Sequence, residues 1–300
     1  MNKEDFPTET CRLAFLGLGT MGYPMAGHLA RKGFSVTVYN RTSTKAQKWS
    51  AEYAGACAAS PRLAAKDADI VFVCVGNDDD LRSVVLGPEG ALAEMRKGSV
   101  LVDHTTDSAE VAREMTALCA QKGVHFIDAP VSGGQSGAVN GCLTVMAGGE
   151  EEVFKAISPV LSSYATTLTF MGPAGSGQLT KMCNQVCIAS AIQGVAEALA
   201  FAQNAGLDTD RVIRAVSAGS GGSWQLSNRG KTMVEEKFDF GFAVKWMRKD
   251  LGIALAEARR NGSEMPVTEI LDGFYADVEK MGGSRWDTSS LIMRLARKKR

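Results

Sequence analysis

Cys11 to Gly33 reads CRLAFLGLGTMGYPMAGHLARKG, and the parsing of this stretch decides the fold. LAFL is a short apolar run of strand type, and Gly17, Gly19 and Gly22 follow it at the spacing G-x-G-x-x-G. Met21, Met25, Leu29 and Ala30 then recur at helical spacing. In such a strand–turn–helix unit the first glycine permits a tight turn. The second lets a pyrophosphate approach the backbone, and the third lets the helix pack on the strand. The helix-opening N–H groups suit the diphosphate of a dinucleotide. Glycine triplets also occur in plain turns, so the reading rests on the strand before and the helix after.

Downstream, SVTVY (Ser35 to Tyr39) alternates and is β-branched, the pattern of a second parallel strand. An acidic residue at its end would receive the ribose 2′-hydroxyl of NAD(H). The chain has Asn40, Arg41 and Thr42 there instead, an amide followed by a guanidinium and a hydroxyl able to receive a 2′-phosphate. NADP(H) is the expected cofactor. NAD(H) is the alternative, if Arg41 is only a loop cation and Asn40 bonds a ribose hydroxyl.

DADIVFVCVG (Asp67 to Gly76) is a continuous apolar run suited to a central strand buried on both faces. The acidic run Asp78 to Asp80 reads as a solvated helix start, because sequence neighbours do not converge on one ion. SVLVDHTT (Ser99 to Thr106) is the next strand, with Thr105 and Thr106 placed to meet a nicotinamide ribose or a substrate. His104 within it reads as a satisfied core or turn residue rather than a general base. VHFIDAPVSGG (Val124 to Gly134) ends in Ser132, Gly133 and Gly134, whose hydroxyl and unhindered amides suit a carboxylate; a plain structural turn is the alternative. LTVMAGG (Leu143 to Gly149) and TLTFMG (Thr167 to Gly172) extend the sheet around the helix EEEVFKAISPVLSSY. The alternation predicts an α/β, doubly wound Rossmann-type domain over residues 10–172.

Beyond PAGSGQ the strand pattern stops, and residues 173–300 read as an all-α domain. Its first helix, from Gly177 to about Ala205, is apolar nearly all round and is expected to be buried. Lys181, Asn184 and Gln185 near its start share a face at spacings of three and four. A buried polar triplet is costly unless a substrate or internal partners satisfy it; with a substrate, Lys181 is the proton donor. Further helices are expected at Asp210–Ala218, Ser223–Leu226, Phe242–Asn261 and Pro266–Met281. Lys249 and Asp250 lie in an amphipathic helix, where a surface ion pair is the plain reading. Trp224, Trp246, Trp286, Phe238, Phe240 and Phe242 read as helical core or subunit interface.

Composition narrows the function classes. The 300 residues are 45% hydrophobic, and 33 Lys and Arg balance 33 Asp and Glu. No electrostatic pull toward nucleic acid or a membrane is expected. The terminal RLARKKR reads as a solvated helix end, and the polar MNKEDFPTET as a frayed start without a signal-peptide core. No apolar run of about 18 residues is seen that would span a bilayer. Seven cysteines without a C-x-x-C pair read as reduced core thiols, with neither a metal nor a disulfide framework, and point to the cytoplasm.

Four ordered segments, FLGLGTMGYPMAGHLARKG, DAPVSGG, GSGQLTKMCNQ and RKDL, together resemble the β-hydroxyacid dehydrogenase family over nearly the whole chain. That family includes 3-hydroxyisobutyrate dehydrogenase, tartronate semialdehyde reductase, and the glyoxylate and succinic semialdehyde reductases. The resemblance implies that Gly17, Leu18, Gly19, Thr20, Met21 and Gly22 bind the cofactor and that Val75, Gly76 and Thr106 line it. It implies that Ser132, Gly133 and Gly134 hold the substrate carboxylate and that Lys181 is the catalytic acid/base. An amide at Asn184 or Gln185 would orient the substrate, Lys249 would contact the nicotinamide end, and Asp250 would fix Lys249. A homodimer or homotetramer built by the helical part is also implied. Many members carry K-x-x-N-N, whereas this chain has Lys181-Met-Cys-Asn184-Gln185, the form of the tartronate semialdehyde reductase branch. Asn40-Arg41-Thr42 instead resembles the NADPH-linked glyoxylate and succinic semialdehyde reductases, so the two hints do not select one substrate.

The expected reaction is hydride transfer between NADPH and a small carboxylate-bearing aldehyde, or its 3-hydroxy acid. The alkoxide formed needs a proton from a positioned acid, which Lys181 supplies. In reverse, a neutral amine takes that proton, a state favoured by burial or by a nearby cation. Three alternatives stand beside this reading. They are 3-hydroxyisobutyrate dehydrogenase proper with NAD, an imine reductase, which would replace the lysine, and a nucleotide-sensing module without catalysis.

Overall fold

The computed structural model describes residues 11–295. The readings of the polar start and of the basic end beyond Leu295 therefore fall outside the described residues. The chain forms two compact units, the first running to Lys181 and the second starting at Met182.

In the first unit the elements alternate. They begin with β1 (Arg12–Leu16), α1 (Gly22–Arg31), β2 (Ser35–Tyr39), α2 (Ser43–Tyr53), β3 (Ala56–Cys57), α3 (Pro61–Ala65), β4 (Ile70–Val73) and α4 (Asp78–Leu86). Then follow β5 (Val100–Asp103), α5 (Ala109–Gln121), β6 (His125–Asp128), β7 (Val131–Ser132), α6 (Gly134–Asn140), β8 (Leu143–Gly149), α7 (Glu151–Leu161) and β9 (Ala165–Gly172). Local chemistry starts the helices. Ser60, Asn77 and Ser108 each accept a backbone N–H from the first turn of α3, α4 and α5. Asp78, Asp79 and Asp80 open α4, as their reading as a helix start requires.

The sheet runs β3-β2-β1-β4-β5-β6-β8-β7, with β9 on the other edge of β8. From β3 to β6 every pairing is parallel, which is the doubly wound half. The order reverses between β1 and β4, and at such a switch point the loops after the strands open a crevice. Strand residues alternate between two cores. Phe15, Val38, Phe72, Val102 and Ile127 pack on one face, and Leu16, Val71, Val73, Leu101 and Phe126 on the other.

Direction changes at β8, which is antiparallel to both β6 and β7 and parallel to β9. The two-residue strand β7 lies where the sequence pattern predicts only a loop. Asp128↔Gly148, Val131↔Val145 and Ser132↔Thr144 keep one register, and Met146 donates its N–H to the carbonyl of Pro130 between them. Asp128 to Ser132 is thus one strip laid along β8, interrupted because Pro130 has no N–H to give.

The long helix α8 (Ser176–Asn204) follows. In the second unit come α9 (Thr209–Ser217), α10 (Trp224–Val234), α11 (Val244–Asn261) and α12 (Pro266–Lys280). Leu199, Leu226, Met247, Leu251, Leu271 and Tyr275 lie at the heart of its core. The helix α10 runs well past the expected stop at Leu226, because Gly230 packs against Ile213 instead of breaking the helix. Three expectations need correction. Burial of α8 on all sides fails: Cys183, Cys187, Ser190, Gly194, Ala198 and Phe201 are exposed at helical spacing, Phe201 to 72%. The cysteines are not all core thiols, since only Cys11 and Cys119 are buried while Cys57, Cys142, Cys183 and Cys187 are exposed. Lastly, α8 is long and apolar enough to cross a membrane by length and composition, with a mean hydropathy of 1.4 over its best window. Half of that window is buried inside the chain, and Gln185 and Gln193 are among its buried residues, as in a core helix.

Candidate functional site

Two glycines of the opening turn, Gly17 and Gly22, are required by the chain's own geometry. Gly17 has φ +100°, and a Cβ there would collide with the carbonyl of Cys74 in the loop after β4. A Cβ on Gly22 would collide with the carbonyl of Gly17 and meet the Phe15 ring. Gly19 differs, since a Cβ there would meet nothing within 4 Å. Among the described residues no packing demands a glycine at 19. It leaves bare backbone at the mouth of the crevice, beside exposed Thr20 and the N-terminus of α1. These residues fit a dinucleotide diphosphate.

The end of β2 is tied to this turn. Asn40 Oδ1 accepts the N–H of Leu18 at 2.9 Å, and Asn40 Nδ2 donates to the Thr42 carbonyl at 3.0 Å. Leu18 itself points into the core. Its N–H and side chain are therefore engaged within the chain, and Asn40 braces the loop. Arg41 is 88% exposed at its side chain, with the Asp80 carboxylate 3.4 Å away. After β4, the N–H of Val75 donates to Thr105 Oγ1 at 3.1 Å, which binds the β4 and β5 loops together; half-buried Gly76 and Thr106 lie beside them.

His104 is a core residue. Nδ1 lies 2.6 Å from the Ala129 carbonyl and Nε2 lies 2.8 Å from the Tyr164 hydroxyl. A carbonyl only accepts, so Nδ1 carries the proton and Nε2 accepts from tyrosine. Burial lowers the His104 pKa to about 4, against a smaller opposing effect of the Ala129 bond.

Lys181 is buried to 7% exposure, and its Nζ donates to the Val131 carbonyl at 2.8 Å. The ammonium thus lies against the residue that precedes Ser132, Gly133 and Gly134. Gly133 has φ +124°, and a Cβ on exposed Gly134 would meet nothing within 4 Å. The start of α8 is held by residues that sequence reasoning did not single out. Asp128 accepts the N–H of Gly175 at 2.8 Å and of Gln178 at 2.9 Å. Gln178 donates its amide to the Thr105 carbonyl at 2.7 Å. Asp103 accepts the N–H of Thr105 at 2.9 Å. Burial pushes Asp103 and Asp128 each up to about 6, partly offset by these hydrogen bonds. One signal was available, because PAGSGQ opens a long helix with no acidic residue in its own first turn.

In the second unit, buried Asp250 accepts the Gln185 amide at 2.6 Å and pairs with Lys249 Nζ at 3.2 Å. Asn184 donates to Gln185 Oε1 at 2.7 Å. Asn184, Gln185, Asp250 and Lys249 therefore form one network, not the surface ion pair that is the plain reading of Lys249 and Asp250.

Residues 12–172 match the NAD binding domain of 6-phosphogluconate dehydrogenase, and residues 175–295 match the NAD-binding domain of NADP-dependent 3-hydroxyisobutyrate dehydrogenase. An uncharacterized oxidoreductase of Shewanella frigidimarina is 57% identical, covering 95% of this chain and 98% of that protein. The 2-hydroxy-3-oxopropionate reductase of Escherichia coli is 33% identical, covering 95% and 97%. The structure of Mycobacterium tuberculosis 3-hydroxyisobutyrate dehydrogenase with L-serine matches with a TM-score of 0.86 at 30% identity, covering 95% of this chain and 99% of that one. The chain belongs to the β-hydroxyacid dehydrogenase family, oxidoreductases with nicotinamide-cofactor domains that act on hydroxyl groups.

Proposed function

We propose that this protein transfers hydride between NADP(H) and a small carboxylate-bearing aldehyde or its 3-hydroxy acid, with Lys181 as acid and base. The observation that carries the reading is the buried Lys181 ammonium held on Val131, one residue before Ser132-Gly133-Gly134. The nicotinamide, when bound, gives or takes the hydride. The chain does the rest. The turn from Gly17 to Gly22 presents the bare backbone of Gly19 and Thr20 to the diphosphate, and Val75, Gly76 and Thr106 line the crevice. The Ser132 hydroxyl and the amides of Gly133 and Gly134 take the carboxylate. Lys181 Nζ delivers a proton to the oxygen left by reduction and recovers it in oxidation. An amide at Asn184 or Gln185, one turn further along α8, orients the substrate, and Asp250 sets the position of Lys249. A relative named for 2-hydroxy-3-oxopropionate, an aldehyde that also carries a carboxylate, supports the substrate class.

Preference for NADP(H) over NAD(H) is supported by the exposed Arg41 guanidinium and by the absence of an acid at position 40. Seven free thiols support residence in a reducing compartment, the cytoplasm. Exposed Phe201, Val267 and Ile270 support a homodimer or homotetramer built through the helical domain, residues 173–300, with residues 10–172 as the cofactor domain. The test is NADPH absorbance against a panel of semialdehydes, glyoxylate and cyclic imines. Oxidation with the carboxylate-bearing aldehydes is expected; turnover of imines alone, or of nothing, sinks the reading.

A further inference from the structure

We propose that Asp128 is a positioning residue for Lys181, fixing the first turn of α8 so that the lysine ammonium lies at the substrate loop. The inference rests on the assignment of Lys181 as the acid. A helix leaves its first N–H groups without intrahelical partners, and α8 has no acidic residue in its own first turn. Asp128, fully buried at the end of β6, fills that role from about 50 residues upstream, with one oxygen on Gly175 and the other on Gln178. A carboxylate there also opposes the positive end of the helix dipole.

The surroundings are shaped around this carboxylate. A Cβ on Gly148 would stand 2.6 Å from Asp128 Oδ1, and a Cβ on Gly177 would stand 2.8 Å from Oδ2. Glycine on both sides is what admits it. Asp128 and Val131 belong to the strip in register along β8. Gln178 and Lys181 lie one turn apart on α8. The strip therefore grips one helical turn twice, Asp128 at its backbone and the Val131 carbonyl at its lysine. A lateral shift of that turn carries Nζ away from Ser132.

The test is Asp128→Asn, which keeps the shape but turns one acceptor into a donor facing a backbone N–H. Because a displacement of about 1 Å at a catalytic group costs on the order of 100-fold, kcat is expected to fall about 10- to 100-fold, with substrate KM and NADPH Kd within about threefold. In a Lys181→Ala background the same change is expected to cost nothing further. Full kcat in Asp128→Asn overturns the proposal, as does an equal loss in both backgrounds. Should Asp128→Asn fail to fold, Gly148→Ala presses on the same carboxylate without altering its charge; the same kcat-selective loss is expected, and unchanged kcat overturns the proposal. Wild-type turnover in Lys181→Ala alone would instead sink the assignment of the acid, a distinguishable failure.

Discussion

Gln185 donates its side-chain amide to buried Asp250 at 2.6 Å, while Lys249 stands 3.2 Å from the other carboxylate oxygen. The reach matters, because asparagine is shorter by one methylene. Gln185→Asn is expected to leave the buried carboxylate short of a donor, at about 1–3 kcal/mol. Thermal unfolding should show Tm several degrees lower; an unchanged Tm would mean that Asp250 finds another donor.

Lys181→Ala removes the proposed acid. Turnover is expected to drop about 100- to 10,000-fold, the usual worth of positioned proton transfer, while NADPH Kd from fluorescence titration stays near wild type.

Arg41→Ala removes the guanidinium at the end of β2. A lost charge-assisted bond is worth about 1.5–3 kcal/mol, so the KM for NADPH is expected to rise roughly 10- to 150-fold and that for NADH by little. A wild-type enzyme that already favours NADH in steady-state kinetics would refute the NADP(H) preference.

The glycines of the opening turn should separate. Gly22→Ala places a methyl against the Gly17 carbonyl and is expected to destabilise the unliganded protein by more than 1 kcal/mol, of the order of ordinary overpacking. Gly19→Ala meets only open space, so its apo Tm should stay within a degree or two while cofactor affinity falls. Equal Tm losses would contradict this division.

His104 gives a pH signature with a defined sign. Its folded pKa of about 4 lies below the usual 6.5, so between these values the unfolded chain binds a proton that the folded chain does not. Its contribution is complete above 6.5 and is lost as pH falls toward 4, on the order of 3 kcal/mol in all. Asp103 and Asp128, raised from 3.8 to about 6, act oppositely: their burial weighs against folding above 6 and is relieved as pH falls toward 3.8. The Tm advantage of wild type over His104→Gln should therefore shrink steadily from pH 7 to pH 4.5. A constant difference would show that His104 titrates alike in both states.

Much of the first unit was legible because its signals are local. SVTVY and LTVMAGG became strands with the expected bounds, and the glycine triplet sits where a strand and a helix flank it. His104, read as a core residue, is buried with both ring nitrogens bonded. What escaped depends on distant partners. Nothing local says that Asp128 meets residues 175 and 178, or that β8 runs against β6. The exposed cysteines on α8 escaped because an apolar helix does not declare which of its faces is covered.

Asn40 joins two properties that are usually treated apart. An aspartate there would keep an acceptor for Leu18, yet set a second negative oxygen against the Thr42 carbonyl that now receives the amide. The exchange to an acid, which would suit the ribose 2′-hydroxyl of NAD(H), would therefore also loosen this loop. Through Asn40 the end of β2 and the glycine turn are held as one piece, so a change at this position alters the brace as well as the surface it presents.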